Sequence, residues 1–314
     1  MDLRRALPTI GLVTLLVLDL VLVIWALWPS GRNAPAAATS VSPQASASVT
    51  PSPSPSASAS PSPSATPAAG PTPVRRVLVA VDDRTAWLAT TGSCAKPGTL
   101  QVTTDAGATW AASAAPGAVT RLRPSGRSEA FAVGGTSDDC AMRLWTTSNA
   151  GEDWGDPASA SAAWARDAGD SRRVIRPGEN PVTPCGKAAV LDLASLGRAT
   201  ASVLCGDGRV RTTTDGGDQW PTAFTAKGAL AFSLLPNGRG AVASLADGCE
   251  GTSVITLVEG SPDGTTCVEG AAAAPGAVAI SVTADAAWLV AGDAAFTASE
   301  VGGRWTQAKG DVRS

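Results

Sequence analysis

The chain has no histidine and no tyrosine among its 314 residues, and only two methionines and four phenylalanines. Without an imidazole there is no Ser-His-Asp or Cys-His nucleophile and no histidine metal ligand. No two cysteines stand in C-x-x-C spacing, so no metal and no cofactor is expected. Arginine outnumbers lysine, the formal net charge is −3, and the basic residues are scattered. That distribution excludes the basic stripe of a nucleic-acid binder. After residue 73 no helical periodicity is visible, which excludes a helical or α/β domain there.

What is present falls into four segments. Residues 1–6 form a short N-terminus expected to be cytoplasmic. Residues 7–28 (LPTIGLVTLLVLDLVLVIWALW) make an apolar run long enough to cross a bilayer as a signal-anchor helix. Arg4 and Arg5 precede it, and positive-inside weighting exports everything after it. Asp19 is the one carboxyl in that span; it is either hydrogen-bonded to a partner helix or protonated without one. Residues 29–73 are almost wholly Ala, Pro, Ser and Thr, including PSPSPSASASPSPS. Such a stretch cannot bury enough surface to offset its ordering entropy and is expected to be a disordered, extended linker. Residues 74–314 form the exported domain, which places the protein as a single-pass membrane protein with its bulk at the cell surface.

Within that domain an octad returns four times: TTDAGATW (Thr103 to Trp110), TSNAGEDW (Thr147 to Trp154), TTDGGDQW (Thr213 to Trp220) and ASEVGGRW (Ala298 to Trp305). Asp105, Asn149 and Asp215 are suited to accept backbone N–H groups across a tight turn. Gly107, Gly151, Gly217 and Gly302 are expected to supply a positive φ. Trp110, Trp154, Trp220 and Trp305 are expected to anchor each turn into packing between neighbouring sheets. Trp110 and Trp154 stand 44 residues apart, Trp154 and Trp220 66, and Trp220 and Trp305 85. The pattern resembles the Asp-box, or BNR repeat, of sialidase-like β-propellers, which also occurs in xyloglucan-cleaving hydrolases, sorting receptors and photosystem II assembly factors. The resemblance implies an all-β propeller over about residues 74–314, read as five blades, with six as the alternative if the long second interval hides one. The missing copy of the turn is placed at Ser261-Pro262-Asp263-Gly264. For activity the resemblance implies little. Sialidases of this family use a tyrosine nucleophile, and this chain has none.

Cys94, Cys140, Cys185, Cys205, Cys249 and Cys267 all fall in the exported domain, as expected for three disulfides in an oxidising compartment. Six cysteines allow 15 pairings; chain order suggests Cys94 with Cys140, Cys185 with Cys205, and Cys249 with Cys267. The interval between the second and third octads carries WARDAGDSRRVIRPGENP, read as a long connection. Its Trp164, Arg166, Asp167, Asp170, Arg172, Arg173 and Arg176 are the candidate binding residues, because Trp and Arg on an inserted loop are the usual interface anchors. The expected function is a tethered protein- or glycan-binding module whose partner is an unknown envelope protein or glycan. The alternative is a carboxylate-dependent glycoside hydrolase drawing on Asp82, Asp83, Asp138, Asp139, Asp167 and Asp170.

Overall fold

The computed structural model describes residues 75–271 and 274–312. The expected N-terminus, membrane helix and linker, residues 1–73, lie outside the described residues. Among the described residues no helix is long and apolar enough to cross a membrane.

The described chain is a six-bladed β-propeller, which corrects the reading of five blades in favour of the alternative of six. Each blade comes from one contiguous stretch. The first comprises Arg76–Ala80, Ala86–Thr90, Thr99–Thr103 and Ala111–Ala114, and the second Ala118–Pro124, Ala130–Gly135, Met142–Thr147 and Ala158–Ser159. The third has three strands, Ala165–Arg166, Val174–Arg176 and Glu179–Val182. The fourth comprises Val190–Ser195, Ala201–Cys205, Arg209–Thr213 and Thr222–Thr225. The fifth comprises Ala229–Leu234, Gly240–Ser244, Gly251–Val258 and Ser261–Glu269, and the sixth Val278–Val282, Ala287–Ala291, Ala294–Ala298 and Thr306–Asp311. The first strand of each blade is innermost, and these six strands neighbour one another in a closed ring.

Second strands are sandwiched between blades, which is why they read as continuous apolar runs. Ala86–Thr90, Ala201–Cys205, Gly240–Ser244 and Ala287–Ala291 are buried at every position. Trp87 and Trp288 occupy the same place in the first and last blades, each with 0 % exposure. Side chains on the inner strands stitch five of the six seams. Ala80 N–H donates to Ser281 Oγ (2.9 Å), Val282 N–H to Ser233 Oγ (3.1 Å) and Phe232 N–H to Asp192 Oδ2 (3.0 Å). Arg166 Nη1 donates to the Leu191 carbonyl (3.1 Å), and Thr120 Oγ1 to the Arg166 carbonyl (2.7 Å). The seam between the first two blades is apolar, with Leu122 against Trp87 and Val102.

The third blade is upside down. Along the second blade, Thr120 bonds the Arg166 carbonyl while Arg121 bonds that of Trp164. Along the fourth, Val190 N–H meets the Ser171 carbonyl, Leu191 meets Arg166, and Gly197 meets Trp164. Its inner strand therefore runs antiparallel to both neighbours, and an odd number of strands returns the chain to the face on which the fourth blade starts. A blade without a fourth strand has no turn between third and fourth strands, so it leaves no octad in the sequence. That is why the 66-residue interval reads as an insertion.

The octad turns show how this sequence makes its rivets. In the first, Thr103 Oγ1 donates to Asp105 Oδ1 (2.9 Å) and accepts Gly107 N–H (3.0 Å), while Asp105 takes Thr109 N–H (2.9 Å) and Oγ1 (2.7 Å). Thr147 and Asn149, and Thr213 and Asp215, repeat the pattern. Each turn docks on the preceding blade around the ring. A Cβ on Gly107 would meet Ala308 at 2.8 Å, one on Gly151 would meet Leu100 at 2.2 Å, and one on Gly217 would meet Trp164 at 3.1 Å. Trp110 stands edge-on to Trp288, with ring centroids 6.2 Å apart. The fourth octad departs from the others. Ala298 has no hydroxyl, the turn closes through Gly303 N–H to the Glu300 carbonyl, and Gly302 does not take the positive φ expected of it. Trp305 still packs on the apolar cluster shared by the fifth and sixth blades. In the fifth blade, Ser261–Glu269 is one strand, so the turn lies at Glu259 and Gly260 (φ 50° and 77°) and not at Ser261–Gly264.

The residue before each turn glycine is also left-handed: Ala106 (φ 61°), Ala150 (φ 60°) and Gly216 (φ 80°). Its N–H reaches the first-to-second-strand loop of its own blade, at Arg84, Ser128 and Ala199 respectively. The third copy has glycine where the first two pay for a Cβ. Ala106→Gly and Ala150→Gly are each expected to stabilise by about 0.5–1 kcal/mol, the left-handed penalty less glycine's entropic cost. A higher urea midpoint for either variant is the check.

The six cysteines form three disulfides, Cys94–Cys140, Cys185–Cys205 and Cys249–Cys267. The first joins loops of the first and second blades, the second ties the exit of the third blade to the fourth, and the third closes within the fifth.

Candidate functional site

In the five blades other than the third, turns between first and second strands and between third and fourth strands lie on one face, called here the turn face; the points where the chain enters those blades lie on the other, the link face. On the turn face, a cleft of about 800 Å³ opens between the second, third and fourth blades. Its cause is a mismatch of lengths. The inner strand of the second blade has seven residues and that of the third has two, so the third blade cannot cover the upper half of its neighbour. The exposed half carries Arg121 and Arg123. Strand alternation sends Leu122 into the apolar seam with the first blade and both arginines the other way.

Arg121, Arg123 and Arg198 line the cleft, together with Phe131, Ser161 and Pro236, and among the described side chains no carboxylate lines it. Arg121 Nη1 donates to the Trp164 carbonyl at 2.5 Å, and its guanidinium carbon lies 5.6 Å from the Phe131 ring centroid. Burial, reinforced by the like charge of Arg123, pulls the Arg121 pKa down to about 10. The cleft continues into the central channel, of about 450 Å³, whose one acidic lining residue is Asp192. Desolvation pushes the Asp192 carboxyl up, while Arg166 and the N–H groups of Phe232 and Leu193 pull it back. Chemically, the cleft can hold an anionic group by charge and hydrogen bonding; a pair of carboxylates for glycoside hydrolysis does not face it.

The seven residues expected to form a binding loop do not form one surface, because the stretch is a blade and not a connection. Trp164 is 1 % exposed, donates Nε1 to the carbonyls of Gly197 and Arg198 at 3.0 Å, and stands edge-on to Trp220 at 5.9 Å. Arg166 is buried in the inner ring. Asp167 caps the N–H groups of Gly169 and Asp170, with Arg173 Nε 3.6 Å from its carboxylate. Asp170 pairs with Arg172 at 2.9 Å, and Arg176 with Asp218 at 2.7 Å. Of the seven, Trp164 alone borders the cleft. The arginines that line it were missed, although the R-x-R of AVTRLRP was a usable signal, since period-two spacing puts Arg121 and Arg123 on one side. Of the other loop carboxylates, Asp82, Asp138 and Asp139 are committed locally. Asp82 accepts Arg84 and Thr85 N–H, and Asp139 accepts Thr136 Oγ1 and Ala141 N–H.

These turn carboxylates set the acid response. The Thr109 hydroxyl holds Asp105 below the usual carboxylate range, the Thr213 hydroxyl does the same for Asp215 and the Thr136 hydroxyl for Asp139, and Arg172 brings Asp170 down to about 2. A depressed folded pKa gives stability that is present above the unfolded value and lost as pH falls through the folded one; Asp192, raised, acts in the opposite sense. The depressed groups outnumber it, so the urea midpoint is expected to fall between about pH 5 and pH 2. Asp105→Asn, the residue the second octad already has at Asn149, should flatten that fall. An equally steep profile in the variant would contradict this assignment.

No protein-family model and no curated protein matches the chain. Among solved structures it is similar to YCF48 bound to a D1 peptide, at 16 % identity over 76 % of this chain and 83 % of that one, with a TM-score of 0.27. It is also similar to Sqt1 of Saccharomyces cerevisiae (9 % identity, 71 % of each chain, TM-score 0.38). A third is the GH74 xyloglucanase of Xanthomonas campestris (12 % identity, 76 % of this chain and 49 % of that one, TM-score 0.24).

Proposed function

We propose that the chain is a membrane-tethered, extracytoplasmic binding module that captures an acidic group of a protein or glycan partner in the turn-face cleft. The observation that carries this reading is a cleft lined by three arginines and by no carboxylate among the described side chains, in a chain of net charge −3. The tether is the apolar run 7–28 and the Pro/Ser/Ala-rich spacer 29–73, as read from the sequence. Arg121 is held rigid by Trp164 and Phe131, whereas Arg123 and Arg198 are exposed and adaptable.

The test is cross-linking of the full-length protein in its native membrane, followed by mass spectrometry, in parallel for wild type and the Arg123→Glu/Arg198→Glu double variant. Both arginines are exposed, so the unfolding temperature should hold while capture falls at least about tenfold, as expected for reversing two charges in one cleft. Binding of a polyglutamate peptide and of a sulfated oligosaccharide, each titrated against salt, separates the protein and glycan forms of the reading. Undiminished capture by the double variant would sink it.

A further inference from the structure

At the link-face mouth of the channel, away from the cleft, a small cavity of about 60 Å³ is lined by Arg75, Arg76, Leu191, Asp192, Leu230 and Val278, among others. Arg76 is 8 % exposed. Its Nη1 donates to the carbonyls of Ala277 (3.2 Å) and Gly292, and Arg75 Nη1 donates to the Val190 carbonyl at 2.7 Å. Both Nε–H groups are buried without an acceptor. The charges there do not balance. Arg166, bonded to the Leu191 carbonyl, is the strongest charge acting on Asp192, with Arg75 a lesser one. Asp293 approaches Arg76 only to 4.0 Å and is 73 % exposed, so water screens most of its attraction. Burial lowers the pKa of Arg75 and Arg76, the mark of cations stripped of water without full compensation.

We propose that this cavity is a binding site for a single small monovalent anion, of the size and charge of chloride. An anion there faces Arg75 and Arg76 together and neutralises the excess charge at the centre of the ring. A buried guanidinium is costly unless it is paired, and here one carboxylate, Asp192, drawn more strongly by Arg166, and one exposed carboxylate, Asp293, face two arginines whose Nε–H groups have no acceptor. The volume suits a monatomic ion and excludes a nucleotide, a sugar acid or a peptide terminus. Because the site binds the first blade to the fourth and sixth through the same two arginines, its occupancy stabilises the closed ring.

The experiment uses the full-length protein in non-ionic detergent, melted in sodium chloride and in sodium gluconate at equal ionic strength. Chloride should raise the unfolding temperature saturably, by about 5–10 °C at a concentration a hundredfold above its dissociation constant. Arg75→Gln should abolish the difference, and Asp192→Asn, which keeps an acceptor for Phe232 but removes the competing charge, should make chloride bind more tightly. Should Arg75→Gln not fold, a bromide-soaked crystal of the wild type decides the matter through an anomalous peak within hydrogen-bonding distance of Arg75 or Arg76. Equal unfolding temperatures in chloride and gluconate, or no bromide at that position, would overturn the proposal.

Discussion

Trp164→Ala is expected to lower the free energy of unfolding by about 3–5 kcal/mol, the range for removing a fully buried indole from a packed core. The residue joins the inverted blade to the next one. It clusters with Val174 of the third blade and with Val190, Ala201, Val203 and Trp220 of the fourth, and the tip of its ring lies 3.1 Å from where a Cβ on Gly217 would sit. Alanine there leaves a cavity, two carbonyls without their donor, and the octad turn of the fourth blade with nothing to dock on. A domain of this kind holds only about 5–15 kcal/mol in total, so the loss is a large share of it. Urea unfolding followed by circular dichroism gives the number. Trp164→Phe is expected to cost less, because it keeps an aromatic ring against Trp220 while losing the Nε1 bonds to Gly197 and Arg198 and the ring tip against Gly217. A loss below about 1 kcal/mol for the alanine variant would mean that the third blade unfolds independently of the ring.

Asp192→Leu is expected to cost a similar amount, about 3–5 kcal/mol, for a different reason. Its carboxylate accepts Phe232 N–H from the next blade and Leu193 N–H from its own strand, and it is the acidic group facing Arg166 and Arg75. Removing it strands a backbone donor at the seam and leaves buried cations without their counter-charge. Asp192→Asn should cost clearly less, since an amide oxygen can still accept one N–H. The double variant Asp192→Leu/Arg166→Met should recover part of the loss, because apolar groups of similar volume commonly replace a buried pair at little cost. If the double variant is as unstable as the sum of its parts, the two residues are uncoupled and the electrostatic account of the seam fails.

The first, second, fourth and sixth blades were legible in the sequence because each puts a tryptophan-anchored turn at a fixed place, and the octad in the first three of these is a local hydrogen-bond pattern that needs no distant partner. The equivalence of Ala86-Trp87-Leu88-Ala89 with Ala287-Trp288-Leu289-Val290 was legible for a similar reason: a second strand buried on both faces is apolar throughout. What escaped was decided between blades. The third blade has no octad because it has no fourth strand, and its short strands, two to four residues each, are too brief to show a period. Its Trp and Arg residues looked like an interface because the same residue types serve a seam and a surface equally well. The cleft escaped because Arg121, Arg123 and Arg198 come together only through the gap that a two-residue strand leaves beside a seven-residue one. Gly302 was misjudged because the motif was carried onto a copy that lacks the threonine hydroxyl around which the other three turns are organised.

The inverted blade gives the chain an unusual modularity. After Ser159 the polypeptide, lying near the link face, climbs to Trp164, runs through three strands and is back at the link face at Val190. The whole excursion starts and finishes on one side of the disc. Residues 160–189 are therefore a cassette in the topological sense: they can be gained or lost without rethreading any other strand, and the five blades around them keep their polarity either way. A lineage that acquired this segment would have changed the diameter of the ring and opened an arginine-lined gap in its rim in one step, with only the fourth-blade octad, docked on Trp164, taking a new neighbour.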